Sequence, residues 1–340
     1  MLRLSGLLVL AMVTTAGLGR GAEVGGVEEL APDVYFYQGD LDKGYCNNGF
    51  IVLEDYVLVV DANFPSAARL LIGEIRKITD KPIRFAFDTH HHGDHAYGNQ
   101  VWVDQGATAV ANTGVVDEMK KYETGHYGSS PGRWEEAAKE REDLRDVKLE
   151  PPSLLFPDTM IFDDGKHRVE LRHFGTAHTH GDGFAWLPKE RILFTGDAVV
   201  NGPHNYVGDG NVTEWIETLD RAKALGARIV APGHGPVGTG TLVSDQQLFF
   251  RELRRVVQTK SETGGPAEVQ SAVEEMASAL RRNEAIARYV GDGFSAQVGK
   301  VYTELTGREL PNGRIELEAV ERHLASHGEP SEQAHNDLRH

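Results

Sequence analysis

Short runs of Val, Ile, Leu, Phe and Tyr alternate with turn residues along the first two thirds of the chain, and helical patterns lie between several of them. Runs of this length and composition predict β-strands at 34–38, 49–53, 56–60, 83–88, 107–111, 167–174, 184–187, 191–194 and 228–230. Helices are predicted at 65–78, which opens on a proline, and at 213–225, which is followed by a glycine. The pattern therefore predicts a mixed α/β fold.

Two parts of the chain depart from this alternation. The stretch 113–157 combines a polar, Gly-rich loop with a highly charged helix predicted at 134–145. A connection of this length favours an insertion beside a functional site, although a solvated surface helix explains the charge equally well. Beyond residue 240 the strand signals end, and helices are predicted at 242–260, 266–282 and 283–305. Their apolar residues recur at helical spacing, which predicts either a face packed on the rest of the protein or a homodimer interface.

Composition narrows the functional classes. The chain has 340 residues, 40% of them apolar, so it can bury an ordinary hydrophobic core and is not disordered as a whole. Its 35 basic and 51 acidic residues give a formal net charge of -16. An acidic protein without a marked basic cluster repels phosphate backbones, which argues against nucleic acid as a partner. Cys46 is the single cysteine, so no internal disulfide can form.

The N-terminus carries a mostly apolar run at 7–18, after Arg3 and before a stretch of small residues. This run is too short to cross ~30 Å of hydrocarbon, and it has the length of a signal-peptide core of ~7–15 residues. We therefore expect residues 1–22 to be a signal peptide, cut somewhere within 16–22. The mature protein is then secreted or periplasmic, without stable membrane insertion. A retained membrane anchor is the alternative.

Four of the fifteen histidines fall within the segment 90–95, which follows a predicted strand. Sheet proteins commonly place functional sites at the C-terminal ends of strands. Alternate side chains of an extended segment point the same way, so His90 and His92 can share one metal ion. A turn at the following glycine then brings Asp94 and His95 toward a second position. Imidazole and carboxylate groups are ligands that zinc favours.

This segment resembles the H-x-H-x-D-H signature of the metallo-β-lactamase superfamily, which is matched by His90, His92, Asp94 and His95. Later motifs follow at the spacing of that superfamily: its third histidine motif at His178, its bridging acid at Asp197 and its last histidine at His234. Its early hairpin is similar to 48–52 and 59–61. The match spans roughly residues 27–240.

The resemblance implies an α/β fold, a four-layer αββα metallo-β-lactamase sandwich in which two mixed sheets pack face to face. The domain organisation expected is a signal peptide at 1–22, a metallo-β-lactamase-like domain at 27–240, a C-terminal helical region at 241–327, and a disordered tail at 328–340.

A dinuclear metal centre is also implied. The first metal would take His90, His92 and His178, the second would take Asp94, His95 and His234, and Asp197 would bridge them. Two Zn²⁺ are expected, with Fe or Mn as alternatives. Two divalent ions ~3.5–4 Å apart share a hydroxide, which attacks the electrophile.

Two aspartates have further expected roles around this centre. Asp94, besides ligating the second metal, is the expected catalytic residue because it can orient the hydroxide. Asp61, at the end of a predicted strand, is a candidate to fix a ligand imidazole, and a turn or helix-capping role is the alternative.

The activity implied is that of a metal-dependent hydrolase acting on an ester, lactone, thioester or amide of a small-molecule substrate, a β-lactam included. The best-known zinc β-lactamases carry a cysteine where Asp197 stands and a lysine where Val200 stands, so their substrate-carboxylate clamp is missing at this position. Acyl-homoserine-lactone lactonases share the bridging acid but carry a tyrosine at the position of Val200. Weak candidates for substrate contact are His204 and Tyr206, for which a polar surface loop is the alternative.

Two other functions stay open. An iron-dependent oxidoreductase of the persulfide dioxygenase type is the main alternative, because His and Asp ligands suit iron as well as zinc. The other is a non-catalytic zinc-binding or partner-binding protein, in which the complete ligand set would bind metal without turnover.

Overall fold

Within residues 23–311, which the computed structural model of the protein describes, thirteen strands form two sheets. The seven-stranded sheet contains, in chain order, β1 (Val27–Ala31), β2 (Val34–Tyr37), β3 (Asn48–Val52), β4 (Val57–Val60), β5 (Ile83–Asp88), β6 (Thr108–Asn112) and β7 (Leu154–Phe156). The six-stranded sheet contains β8 (Thr159–Asp163), β9 (Arg168–His173), β10 (Gly183–Leu187), β11 (Ile192–Phe194), β12 (Ile229–Ala231) and β13 (Gly238–Thr239). In both sheets, strands that follow one another in the chain lie side by side. The predicted signal peptide and the predicted tail at 328–340 lie outside the described residues.

All nine predicted strands are present, and every boundary agrees within one residue. Four strands were not predicted: β1, β7, β8 and β13. Strand β1 is an edge strand with two consecutive glutamates, and β7 and β13 have only three and two residues, too few for a periodic signal. Strand β8, also at an edge, alternates exposed and half-buried positions, so it lacks the apolar run of the inner strands.

Within the same residues, eleven helices connect or follow the strands. They are α1 (Pro65–Ile78), α2 (Gly93–Ala96), α3 (Asn99–Asp104), α4 (Thr113–Tyr122), α5 (Thr124–Tyr127), α6 (Arg133–Glu140), α7 (Val212–Ala224), α8 (Thr241–Thr263), α9 (Pro266–Ser271), α10 (Val273–Arg281) and α11 (Phe294–Thr306). Helices α1 and α3 pack on the seven-stranded sheet, and α7, α8, α10 and α11 share a buried cluster with the six-stranded sheet. A separate apolar core, which includes Phe87 and Phe194, lies between the two sheets. The layers are therefore helix, sheet, sheet, helix, as expected.

The C-terminal helices correct two predictions. A continuous helix was expected at 283–305, but α11 begins only at Phe294, and a short 3-10 turn at Ala287–Tyr289 precedes it. Gly291 and Gly293 interrupt the segment, and at Gly291 a side chain would collide with Pro203. The expected helix at 266–282 is likewise divided, into α9 and α10. The boundary at residue 240 and the homodimer stay predictions.

The charged insertion folds into three short helices, α4 to α6, and the helix predicted at 134–145 ends at Glu140. In residues 23–311, no helix combines the length and the hydrophobicity that crossing a membrane requires.

Candidate metal centre

The seven predicted ligands follow the ends of strands at one edge of the two sheets. His90 and His92 follow β5, and the short helix α2 carries Asp94 and His95. The others lie in the β9–β10 loop, in the 3-10 turn that follows β11, and directly after β12: His178, Asp197 and His234. Because β5 and β11 belong to sheets that pack face to face, their carboxyl ends bring these loops together.

Three histidines form the first group. The ligand atoms of His90, His92 and His178 all lie within 4.8 Å of one another. His178 presents Nε2, which is 2.9 Å from Nδ1 of His92. The Nδ1–H of His178 donates to the carbonyl of Tyr206 at 2.9 Å, and because a carbonyl can only accept, the neutral ring carries its proton on Nδ1 and its lone pair on Nε2. The tautomer thus directs a lone pair into the group.

Asp94, His95 and His234 form the second group, also within 4.8 Å. Asp94 Oδ2 lies 3.1 Å from His234 Nε2 and 3.3 Å from His95 Nε2. The imidazole of His95 is fully buried, whereas the side chain of Asp94 is 21% exposed. Asp94 therefore lies on the solvent side of this group.

Asp197 lies between the two groups. Its Oδ2 is 3.7 Å from His178 Nε2 and 3.4 Å from His234 Nε2, and its Oδ1 is 3.4 Å from His95 Nε2. It also forms a compact group with His90 and His95. One carboxylate therefore contacts histidines of both groups.

The electrostatics of the two groups differ. Burial, together with the neighbouring His178, lowers the pKa of His92 to about 4, although the hydrogen bond to Asp209 opposes this shift. At His234 burial also lowers the pKa, but the carboxylates of Asp197 and Asp94 outweigh it and raise the value to about 9. Burial also lowers the pKa of His90 well below its usual range, so His90 and His92 are neutral donors at pH 7, whereas the second group favours positive charge.

These residues fit a pair of divalent cations. Buried His90 Nε2, His95 Nε2 and Asp197 Oδ1 have no hydrogen-bond partner among residues 23–311, although buried polar atoms are normally satisfied. Neutral imidazoles and carboxylates are the donors that zinc and iron accept. A cation at each group would give these atoms a partner and would compensate the negative charge of Asp94 and Asp197.

Asp61 contacts the second group from outside. Its Oδ2 lies 3.1 Å from His95 Nδ1, while its Oδ1 accepts hydrogen bonds from the backbone N–H and the hydroxyl of Thr89. Helix α1 has no side-chain cap, and its N-cap residue is Phe64. The contacts favour the ligand-orienting interpretation of Asp61 over the capping one.

An ion pair that sequence reasoning missed supports the first group. Asp209 accepts a hydrogen bond from His92 Nε2 at 2.8 Å, so that Nδ1 of His92 faces the group. Arg133 of helix α6 donates to both oxygens of Asp209, at 2.8 and 3.3 Å, and stacks 3.7 Å above the ring of Tyr122. Burial raises the pKa of Asp209, but His92 and Arg133 lower it well below its usual range, so it stays ionised. The insertion therefore reaches the site.

The loop around His234 has a second support that was not predicted. The side-chain amide of Asn47 donates to the carbonyls of Pro232 and Gly235, at 2.9 and 2.7 Å, on either side of His234. Asn47 lies next to the segment 48–52 that resembles the early family hairpin, but a lone asparagine gives no signal of a contact 185 residues away.

The remaining candidates have mixed locations. The ring of His204 lies 6.0 Å from that of His234, and the ring of Tyr206 lies 5.6 Å from that of His92. His180, two residues after His178, is exposed. His91 is buried and stacks on Tyr122 in the layer around the ligands, whereas Trp134 packs against Tyr97.

We predict that Gly233→Ala displaces Asp197. A Cβ at Gly233 would lie 2.0 Å from Asp197 Oδ1, too close for any atom pair that does not bond. Crowding of this kind costs about 1–3 kcal/mol of unfolding free energy, measured by urea denaturation. Gly202→Ala is the control, because its nearest neighbour is an imidazole carbon 4.0 Å away. Equal stability of the two variants would contradict the tight approach at Gly233.

The chain is similar to known proteins of one family. The model of the metallo-beta-lactamase superfamily matches residues 41–234, more than half of the chain. A metallo-beta-lactamase type 2 of Bacteroides fragilis is 26% identical over 213 residues, which cover 61% of this chain and 76% of that protein. An atrochrysone carboxyl ACP thioesterase of Aspergillus fumigatus is 36% identical over 69 residues, which cover 20% of this chain and 21% of that protein.

Solved structures agree on the fold. A metallo-beta-lactamase from Pontibacter korlensis aligns with a TM-score of 0.54 at 19% identity, over 66% of this chain and 98% of that one. The DIM-1 metallo-beta-lactamase aligns with a TM-score of 0.52 at 20% identity, over 66% of this chain and 96% of that one. The chain belongs to the metallo-beta-lactamase superfamily.

Proposed function

We propose that the protein is a dinuclear zinc-dependent hydrolase of an ester, lactone, thioester or amide in a small molecule. The observation that supports it best is the convergence of five imidazoles and two carboxylates on one cluster in which buried donor atoms lack partners. One ion would be held by His90, His92 and His178, the other by Asp94, His95 and His234, with Asp197 shared. Bound divalent ions lower the pKa of water, which supplies a nucleophile at neutral pH, and polarise the oxygen of the electrophile.

The protein's own side chains prepare this chemistry. Tyr206 and Asp209 select the tautomers of His178 and His92, so each imidazole offers a lone pair without first losing a proton. Asp94, the most solvent-accessible group of its trio, is in a position to orient an attacking water toward an arriving substrate. We assign it that role.

Three residues near the metal cluster bear on the class of substrate. Val200 has an aliphatic side chain and is 1% exposed, so this position offers neither a charge nor accessible surface to a substrate carboxylate. His204 and Tyr206 lie beside one ligand of each group, and we propose that they contact the substrate. The thioesterase relative supports a thioester as one candidate substrate, and the Bacteroides relative supports a β-lactam as another.

The test is elemental analysis of the purified protein, followed by hydrolysis assays on lactones, thioesters, esters and β-lactams. We expect about two zinc ions per chain, activity on at least one of these classes, loss of that activity with a chelator and recovery with zinc. Iron together with dioxygen consumption would replace the hydrolase with the persulfide dioxygenase alternative. Bound metal without turnover on any of these substrates would favour the binding protein.

We expect His178→Ala to remove the first metal and at least about 100-fold of the hydrolytic rate, since a metal site depends on every ligand. Elemental analysis gives the metal and initial rates give the activity. His180→Ala is the matched control, because this histidine lies two residues away on the surface. If His178→Ala retained two metals and full activity, the ligand assignment would be wrong.

We also propose export, on the sequence of residues 1–22 alone. N-terminal sequencing of the protein from the extracellular or periplasmic fraction of its own host is expected to give a first residue within 17–23. Recovery of the chain from the cytoplasm with residue 1 or 2 still present would contradict export, and recovery from membranes with the segment retained would indicate the anchor.

A further inference from the structure

One loop touches two histidines of the first group. It comprises residues 200–211, between the turn that carries Asp197 and helix α7. Its Tyr206 carbonyl accepts the hydrogen bond from His178, and its Asp209 carboxylate accepts the one from His92. The direction of these two acceptors decides which ring nitrogen each imidazole turns inward. The position of the loop is therefore part of the geometry of the metal site.

Two buried glutamines from the C-terminal helices hold this loop. Gln246 of α8, with no exposed surface, accepts a hydrogen bond from the backbone N–H of Val200 at 3.2 Å and donates to the side chain of Asn205. Gln297 of α11, which is 2% exposed, donates to the backbone carbonyl of Asn205 at 2.8 Å. Both glutamines lie on helices that otherwise contribute apolar residues to the core. The loop satisfies both polar atoms of the Gln246 amide and the nitrogen of the Gln297 amide, which offsets the cost of burying them among apolar side chains.

Further contacts hold the second half of the loop. The ammonium group of Lys300 on α11 donates to the carbonyl of Gly208 at 2.9 Å, next to Asp209. One turn later, the carboxylate of Glu304 accepts a hydrogen bond from the N–H of Val212 at 3.0 Å, where α7 begins. Helix α11 thus follows the loop from Asn205 to its end.

We infer that helices α8 and α11 position the first metal group, with Gln246 and Lys300 as positioning residues that act through the 200–211 loop. The inference rests on the proposed metal site. It gives the C-terminal helices a role in the chemistry, although none of their side chains belongs to the seven ligands. Fixed carbonyl and carboxylate acceptors keep His178 and His92 in the ligating tautomer before a metal arrives.

The first test compares two neighbouring residues of one helix. Gln246→Leu removes the contacts to the loop, whereas the control Gln247→Leu removes a second buried amide, which donates to the carbonyl of Ile216 of α7 at 2.8 Å. Zinc affinity of each site is measured by competition with a chelating dye. We expect Gln246→Leu to weaken the first zinc about 10–100-fold, the range for groups that orient a ligand, and to leave the second unchanged. Gln247→Leu is expected to change neither.

The second test uses a residue whose replacement leaves the core intact. Lys300→Met removes the donor to Gly208, and Lys300→Arg retains one, so the arginine variant is expected to recover most of the zinc affinity that the methionine variant loses. Histidine ¹⁵N chemical shifts of the metal-free protein give an independent readout. We expect Nδ1–H at His178 and Nε2–H at His92 in the wild type, and mixed tautomers in Gln246→Leu and Lys300→Met.

The outcomes separate this inference from the proposed function. Wild-type affinity and tautomers in Gln246→Leu and Lys300→Met would overturn the positioning role and leave the hydrolase proposal standing. Equal losses at both zinc sites, or the same loss in Gln247→Leu, would show a general effect on stability and would also overturn it. A wild-type protein that binds no metal would overturn the proposed function, and the histidine spectra would then still decide whether the helices set the tautomers.

Discussion

The packing of two carboxylates, the buried Asp197 and the partly exposed Asp94, among five imidazoles is the constraint that the surrounding structure has to satisfy. A carboxylate withdrawn from water costs several kcal/mol unless close partners compensate it. At both Asp94 and Asp197 burial raises the pKa, but neighbouring histidines outweigh it and hold the value well below the usual range. The charge of Asp197 depends on His95 and His234 from other loops, and that of Asp94 depends on His234 as well as on the adjacent His95, so the displacement of one loop removes part of this compensation. The loops must therefore be held from outside.

The backbone around Asp61 shows what this holding requires. Asp61 and Asn63 have φ angles of 66° and 58°, in the left-handed region of backbone conformation that residues other than glycine rarely adopt. Such residues cost about 1–3 kcal/mol each and persist where surrounding contacts fix them. Here the amide of Asn63 donates to Cys46 and Asn48, and Asn48 in turn donates to the carbonyl of Asp61. The strained turn is thereby kept in the position from which Asp61 reaches His95.

The pattern of residues allowed the nine inner strands to be predicted, because each contains a short run or alternation of apolar residues. The family resemblance predicted the four-layer order. It also supplied the seven polar residues that converge, since they recur at spacings that resemble one family. The supporting groups could not be found in this way. Asp209 and Arg133 are 76 residues apart, in a polar loop and a charged helix, and their residue types alone are equally typical of a solvated surface. Their pairing depends on where the insertion folds, which no local periodicity encodes.

Donors and supports therefore come from different parts of the chain. The loops at the strand ends supply the groups that face the candidate ions. Helix α6 supports them from outside, because its Arg133 contacts Asp209 in the 200–211 loop. A salt bridge from this insertion neutralises Asp209 on its outer side, so the carboxylate can accept from His92 without remaining an isolated buried charge. Since Arg133 stacks on Tyr122, and Tyr122 stacks on His91, the insertion also covers the residue between two ligands. A change in the length or packing of this insertion would alter the electrostatics of the first group without touching any ligand.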